Sequence, residues 1–220
     1  MANFTVADDA IFLGSATFSD LTLPDLSVDN DSIDPNANIA RSKLATDSLM
    51  EIGIPLTNWR DADTFQPLAA TASGTDLGLY AGTYGTDAPL IRSEDLKVAG
   101  ATTKRMRGQI ELPAEYVTGG NFRLRFFAGM VTTIADSLCQ IDVECAEIIG
   151  ATVGSDICTT SIQSMNSTAF ANKDFVMDAS SASAGKSYDV RVTLTVNDGG
   201  TGTAVIAAIA KTKLVIAMKG

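Results

Sequence analysis

Asp142 and Glu144 stand two residues apart. On a strand that spacing points both carboxylates to one face, the arrangement a pair of acids needs to work on a glycosidic bond. Arg105, Arg107, Arg123 and Arg125 lie on the two preceding runs and are expected beside them, which keeps the acids ionised and structural. The remaining chemistry is thin. No histidine occurs among the 220 residues, so neither a Ser-His nor a Cys-His nucleophile can be built, and the commonest metal ligand is missing. Asp61-Ala62-Asp63 is a bare acidic pair in a polar stretch. Asp29-Asn30-Asp31 begins like a calcium loop, but Ile33, Asp34 and Ala40 stand where an oxygen ligand, a glycine and a glutamate belong. Gly199-Gly200-Thr201-Gly202 lacks the lysine and helix of a phosphate loop and reads as a hairpin tip. No catalytic, cofactor-binding or metal-ligating residue is assigned, and no cofactor is expected.

Three cysteines invite a redox reading. Cys139 and Cys145 are six residues apart on one run, roughly 20 Å of extended chain, far beyond disulfide reach. Their phase points inward, so with Cys158 they are expected to be inert thiols in a reducing compartment. Trp59, Tyr80, Tyr84 and Tyr116 could together form a sugar-stacking platform, although aromatics make up only 6% of the chain and most are phenylalanines at core phases.

The elements that must carry these residues are strands. In Asn121–Thr132, Phe122, Leu124 and Phe126 alternate with Arg123, Arg125 and Phe127. Arg105–Leu112 places Met106, Gly108, Ile110 and Leu112 on one face, and Leu138–Glu147 does the same with Cys139, Ile141, Val143 and Cys145. These three are expected to be neighbours with their arginines and carboxylates on a common outer face. Tyr188–Val196 and Ala204–Met218 are two further strands, the latter with Lys211, Lys213 and Lys219 on its wet side. Shorter ones are expected at Glu51–Thr57, around Leu77–Tyr80, at Leu90-Ile91, Ser161–Met165 and Phe170–Met177, with Gly150–Asp156 read as a turn and Ile39–Met50 as a weak helix. Many strands, Gly-rich turns and almost no helical period predict an all-β, antiparallel jelly-roll-like sandwich over residues 51–220.

Residues 1–50 are different. Seven aspartates precede the first base, Arg41, leaving nineteen acids against sixteen bases for the rest of a chain whose net charge is −10. Phe18, Leu21, Leu23, Leu26 and Val28 mark strand pieces too short and too sparsely apolar to close a core of their own. The segment is therefore expected to be an extended arm that wraps with other copies or lies along another protein. Phe18, Leu21, Leu23, Leu26, Val28, Ile39 and Leu44 are its interface residues, and Asp20, Asp25, Asp29 and Asp31 its acidic contacts to a basic partner. The acidity argues against nucleic-acid binding, no apolar run is long enough to span a membrane, and the N-terminus lacks a secretory pattern.

The strand pieces Phe18–Val28, the transition Ile39-Ala40-Arg41-Ser42-Lys43-Leu44, the Ala/Thr/Gly-rich run Leu68–Thr86 and the segment Leu112–Gly120 leading into the Arg123/Arg125 strand resemble those of small structural proteins of tailed bacteriophages. The resemblance is to trimeric head decoration (cement) proteins, which carry a jelly roll behind an N-terminal arm. It implies a homotrimer on the capsid exterior of a virion, made in the host bacterial cytoplasm and bound to the major capsid protein. The alternative is a glycan-binding module of a tail fibre or spike.

Overall fold

The structure, a computed structural model, describes residues 48–200 and 202–219. These lie within the second of two units into which the chain divides, 1–40 and 41–220. The first sheet holds β1 (Ser48–Ile54), β2 (Gly78–Tyr80), β3 (Leu90–Arg92), β5 (Phe122–Met130), β9 (Ala171–Val176) and β11 (Ala207–Met218). The second holds β4 (Gly100–Glu111), β6 (Leu138–Ile149), β7 (Thr152–Asp156), β8 (Gln163–Ser164) and β10 (Ser187–Asp198).

The pairing is nested. β3 pairs with β11, β4 with β10, β5 with β9, and β6 with both β7 and β8, all antiparallel. The chain is one long two-stranded ribbon, doubled back after β6 and rolled until β11 also meets β5 and β10 also meets β6. Rolling a ribbon in this way deals successive strands to opposite sheets, giving the orders β2–β3–β11–β5–β9 and β4–β10–β6–β7. This is a jelly-roll sandwich. β1 lies on the same side of β11 as β3, with Ser48 opposite Met218 and Ile54 opposite Thr212.

Alternation explains why these residues are strands and which side they bury. On β10, Val190, Val192 and Leu194 face inward between Gly108, Met106 and Lys104 of β4 and Cys145, Val143 and Ile141 of β6. Facing them from the first sheet are Phe122, Leu124 and Phe126 of β5, Phe175 of β9, and Leu214 and Ile216 of β11, all buried. Aromatic edges tighten the core, Phe122 lying 5.4 Å from Tyr188 across the two layers and Phe126 6.0 Å from Phe175 within the first sheet, between ring centroids. Each such ring contributes roughly 1.5–3 kcal/mol by leaving water, against about 0–1 kcal/mol for an exposed ion pair. The interior holds the fold together, and the outer faces are left to set what the surface meets.

Trp59 joins the two layers. Its indole lies over Gly108 of β4, its Nε1 donates to Thr212 Oγ1 of β11 at 3.1 Å, and its ring is 5.8 Å from Phe126. A Cβ at Gly108 would stand 2.8 Å from Trp59 Cε3, so only glycine leaves room for the ring.

Three expectations need correcting. The strands of Arg105–Leu112, Asn121–Thr132 and Leu138–Glu147 are not neighbours: β5 is in the other sheet, and β10 lies between β4 and β6. Both sheets bury one face, so alternation alone cannot say which sheet a strand joins. Gly150–Asp156 is not merely a turn. Gly150, at φ 62°, closes a tight hairpin, and the chain returns as β7, whose residues are mostly exposed and so carry no burial pattern. Of the helix expected at Ile39–Met50, Ser48–Met50 belong to β1, and the remainder lies outside the described residues.

Candidate functional site

The outward residues of each sheet form paired charge rows. Across the first sheet, Arg125 of β5 grips Asp174 of β9 through Nε to Oδ1 at 2.6 Å and Nη2 to Oδ2 at 2.8 Å, and also meets Glu51 of β1. Glu51 in turn accepts from Lys213 of β11 at 2.6 Å, so one chain of charges crosses four strands. The Arg125 guanidinium holds the Asp174 carboxyl below its ordinary range, with Arg123 adding to the effect. Beside this row, Lys211 stands 5.7 Å from the Phe127 ring, and a shallow cleft of about 240 Å³ opens among Arg125, Phe127, Asn172, Lys211 and Lys213.

Across the second sheet, Arg107 of β4 holds Asp189 of β10 through Nε at 2.8 and 2.9 Å and again through Nη2. Arg191 of β10 pairs with Glu144 of β6. Both pairs line a larger depression of about 340 Å³ whose far wall is Val153, Gly154 and Asp156 of β7. The gap exists because the register of β7 on β6 shifts between Ala146 and Ile148, a bulge that carries β7 out of line. Asp156 Oδ1 ties the wall down by accepting from the backbone N–H groups of Cys145 at 2.8 Å and Cys158 at 2.9 Å.

The loop 60–67 stands at the opposite rim. It is docked on β4 by reciprocal backbone bonds between Arg60 and Arg107 at 2.8 and 2.9 Å and closes on itself between Arg60 and Pro67. Asp61 shapes it by accepting from Thr64 N and Thr64 Oγ1, each at 2.6 Å, and from Gln66 N at 3.1 Å. The Thr64 hydroxyl leads the set of donors that lowers the Asp61 pKa. The loop contributes Ala62 to the lining and holds Phe65 at φ 58°, 37% exposed, with Arg107 Cζ 5.5 Å from the ring centroid. Phe65 is the only non-glycine at positive φ among the described residues.

The residues singled out from sequence fall as follows. Asp142 faces Thr193 and Glu144 faces Arg191 in the register, so the paired-charge reading of Glu144 holds with a different arginine. Arg123 and Arg125 lie on the other sheet. Asp61 is a loop-builder, as an ordinary polar reading of that stretch expects. The four-membered aromatic platform does not form: Trp59 and Tyr116 are buried at 1% and 0% exposure, and Tyr80 lies under Arg92 at 3.7 Å, leaving Tyr84 exposed. Cys139 and Cys145 are buried on the inner face of β6, and burial pushes the Cys139 thiol up to about 12 and the half-buried Cys158 up to about 11. Phe18, Leu21, Leu23, Leu26, Val28, Ile39 and Leu44, with Asp20, Asp25, Asp29 and Asp31, lie outside the described residues.

Sequence reasoning missed Phe65, Arg107, Asp189 and Gly154 as partners in one place. Arg107 and Asp189 are 82 residues apart, and only the β4–β10 register brings them together. Lys104 was missed too. It faces inward opposite Leu194, is buried, and reaches Glu94 and the Gly74 carbonyl.

No protein-family model and no curated protein matches the chain. Among solved structures it is similar to the CBM36-1 domain of a multidomain xylanase from the hindgut metagenome of Trinervitermes trinervoides, at 10% identity over 76% of this chain and 96% of that one, TM-score 0.36. It is also similar to CBM27-1 of Caldicellulosiruptor saccharolyticus in complex with mannohexaose, at 9% identity over 75% and 97%, TM-score 0.37. A third is the K1 cleaved adhesin domain of Lys-gingipain from Porphyromonas gingivalis, at 14% identity over 76% and 97%, TM-score 0.36. These are distant likenesses between β-rich domains, and the jelly-roll assignment stands on the strand pairing of this chain.

Proposed function

We propose that the chain is a non-catalytic building part of a larger assembly, a trimeric bacteriophage head decoration protein that braces neighbouring capsid subunits. The observation that carries this reading is the open edge of β1. One side of β1 is bonded to β11, and among the described residues nothing pairs with the other. Leu49 and Met50 at its start are 57% and 48% exposed, and the strand bears a single charge, Glu51. An edge with apolar side chains and free backbone groups invites another strand, and stable folded proteins guard such edges unless a partner takes them. The aspartate-rich residues that precede this edge supply charge for a basic partner surface. Bracing would come from burying roughly 800 Å² on each partner at every junction, which stabilises the assembled shell by mass action.

The test is the mass of the full chain in solution, by sedimentation at micromolar concentration, followed by co-sedimentation with purified undecorated heads. A trimer that decorates heads is expected, and Leu49→Glu with Met50→Glu is expected to abolish one or both. A monomer that ignores heads overturns the reading.

A second reading, a glycan-binding module, is favoured by the depression over β10, β6 and β7 with Phe65 at its rim. The carbohydrate-binding modules among the structural likenesses are too distant to carry it. The depression carries it.

A further inference from the structure

We propose that the depression on the outer face of the second sheet binds a neutral saccharide, with Phe65 as its stacking surface. This rests on the glycan-binding reading and gives it residues and a ligand class. At about 340 Å³ the hollow is at the small end of the roughly 300–1,000 Å³ usual for ligand sites, room for a short stretch of sugar ring.

Charge selects the ligand class. Both arginines of the hollow are already paired, Arg107 with Asp189 and Arg191 with Glu144, and Asp156 is committed to two backbone N–H groups. An anionic ligand would meet the Asp156 charge and would have to displace Asp189 or Glu144 to reach either guanidinium, leaving a carboxylate uncompensated. Hydroxyl groups need no such exchange. A guanidinium has five N–H donors, and Arg107 commits only its Nε and Nη2 to Asp189, while each carboxylate keeps lone pairs to accept with. Fixed planar groups that offer both donors and acceptors, with neither guanidinium left unpaired to call for an anion, suit a polyol.

Shape selects the apolar contact. A sugar ring has an apolar C–H face that lies on an aromatic ring, and Phe65 supplies one at the rim beside Arg107. A phenylalanine at φ 58° is held against its own preference, and the bonds that Asp61 accepts from Thr64 and Gln66 are what hold it. Across the hollow, Gly154 keeps the wall low. A Cβ there would meet nothing nearer than 3.6 Å, so packing does not demand glycine, and the space is free for a ligand instead.

The experiment titrates the full chain with cellohexaose, xylohexaose and mannohexaose, and with a heparin hexasaccharide as the charged arm, by calorimetry and by amide chemical shifts. At least one neutral hexasaccharide is expected to bind and to move the amides of 61–66, 144–146 and 189–191. Phe65→Ala and Gly154→Leu, the second filling the hollow, are each expected to weaken it at least tenfold with an unchanged unfolding midpoint. Binding that neither variant alters, or shifts confined to the Phe127–Asn172 cleft, overturns the site but leaves the glycan reading standing. Heparin binding in the same hollow as tightly as the neutral sugars overturns the ligand class. Binding of none of the four sugars overturns both.

Discussion

Replacing Gly108 with alanine tests whether Trp59 joins the two sheets as described. The added Cβ falls 2.8 Å from Trp59 Cε3 and 3.0 Å from Cζ3, about 0.6 Å short of ordinary contact at the nearer atom. The indole has little freedom to yield. Its Nε1 is bonded to Thr212 Oγ1, which donates onward to the Ile54 carbonyl at 2.7 Å, and Phe126 closes the third side. Overpacking of a fixed core group costs about 1–3 kcal/mol. Stretching the buried Trp59–Thr212 bond adds about 1 kcal/mol, so Gly108→Ala is expected to lose about 2–4 kcal/mol. Urea unfolding followed by far-UV circular dichroism measures this. Gly53→Ala is the control, because a Cβ there meets nothing within 4 Å, and it is expected to leave the midpoint unchanged or slightly raised. In the double variant Trp59→Leu, Gly108→Ala, the smaller side chain relieves the clash. Its loss is expected to fall short of the two single losses added together by at least 1 kcal/mol. An unchanged midpoint for Gly108→Ala, or strict additivity in the double variant, would refute the account of Trp59.

Two further predictions follow from the ionisable groups. Asp174 has a folded pKa held below its ordinary 3.8 by Arg125, so it contributes stability above that value that is lost as pH falls through the folded pKa. Asp174→Asn is therefore expected to flatten the loss of unfolding free energy between pH 5 and pH 2, relative to the parent. At pH 8 the Cys158 thiol, raised to about 11, is expected to be thiolate in only about one molecule in a thousand, with Cys139 and Cys145 lower still. A disulfide reagent should then label the native chain slowly and take up three equivalents only after denaturation. Rapid labelling of Cys139 or Cys145 in the native chain would contradict the burial of β6.

The long strands were legible because each buries one face. Val190 to Val196 on β10 and Phe122 to Phe126 on β5 alternate without a break, and the inward phase of Cys139 and Cys145 follows from the same rule. What alternation cannot carry is which strand lies beside which. Arg125 was placed near Glu144 and in fact answers Asp174, because the roll sends β5 to the opposite layer. Trp59, which residue type alone offers as one member of a stacking platform, is the most deeply placed ring of the loop before β2. The signal for it was Gly108, a glycine inside an otherwise unbroken strand, which marks a place where something large comes close. The hollow had no comparable signal. Ala62, Arg107, Glu144, Gly154 and Asp189 come from separate stretches of chain, Phe65 reaches the hollow only through Arg107, and a bulge between β6 and β7, invisible in residue type, opens the space.

The position of β11 governs when this molecule can come into being. It is the central strand of its sheet, touching β1, β3 and β5 at once, yet among the described strands it is the last to leave the ribosome. Until β11 has emerged, those three earlier strands have no common neighbour, and contacts spanning 170 residues, such as Ser48 with Met218, must wait. This sheet therefore cannot close until β11 has been made, and the nascent chain depends on whatever shields its unfinished half in the meantime.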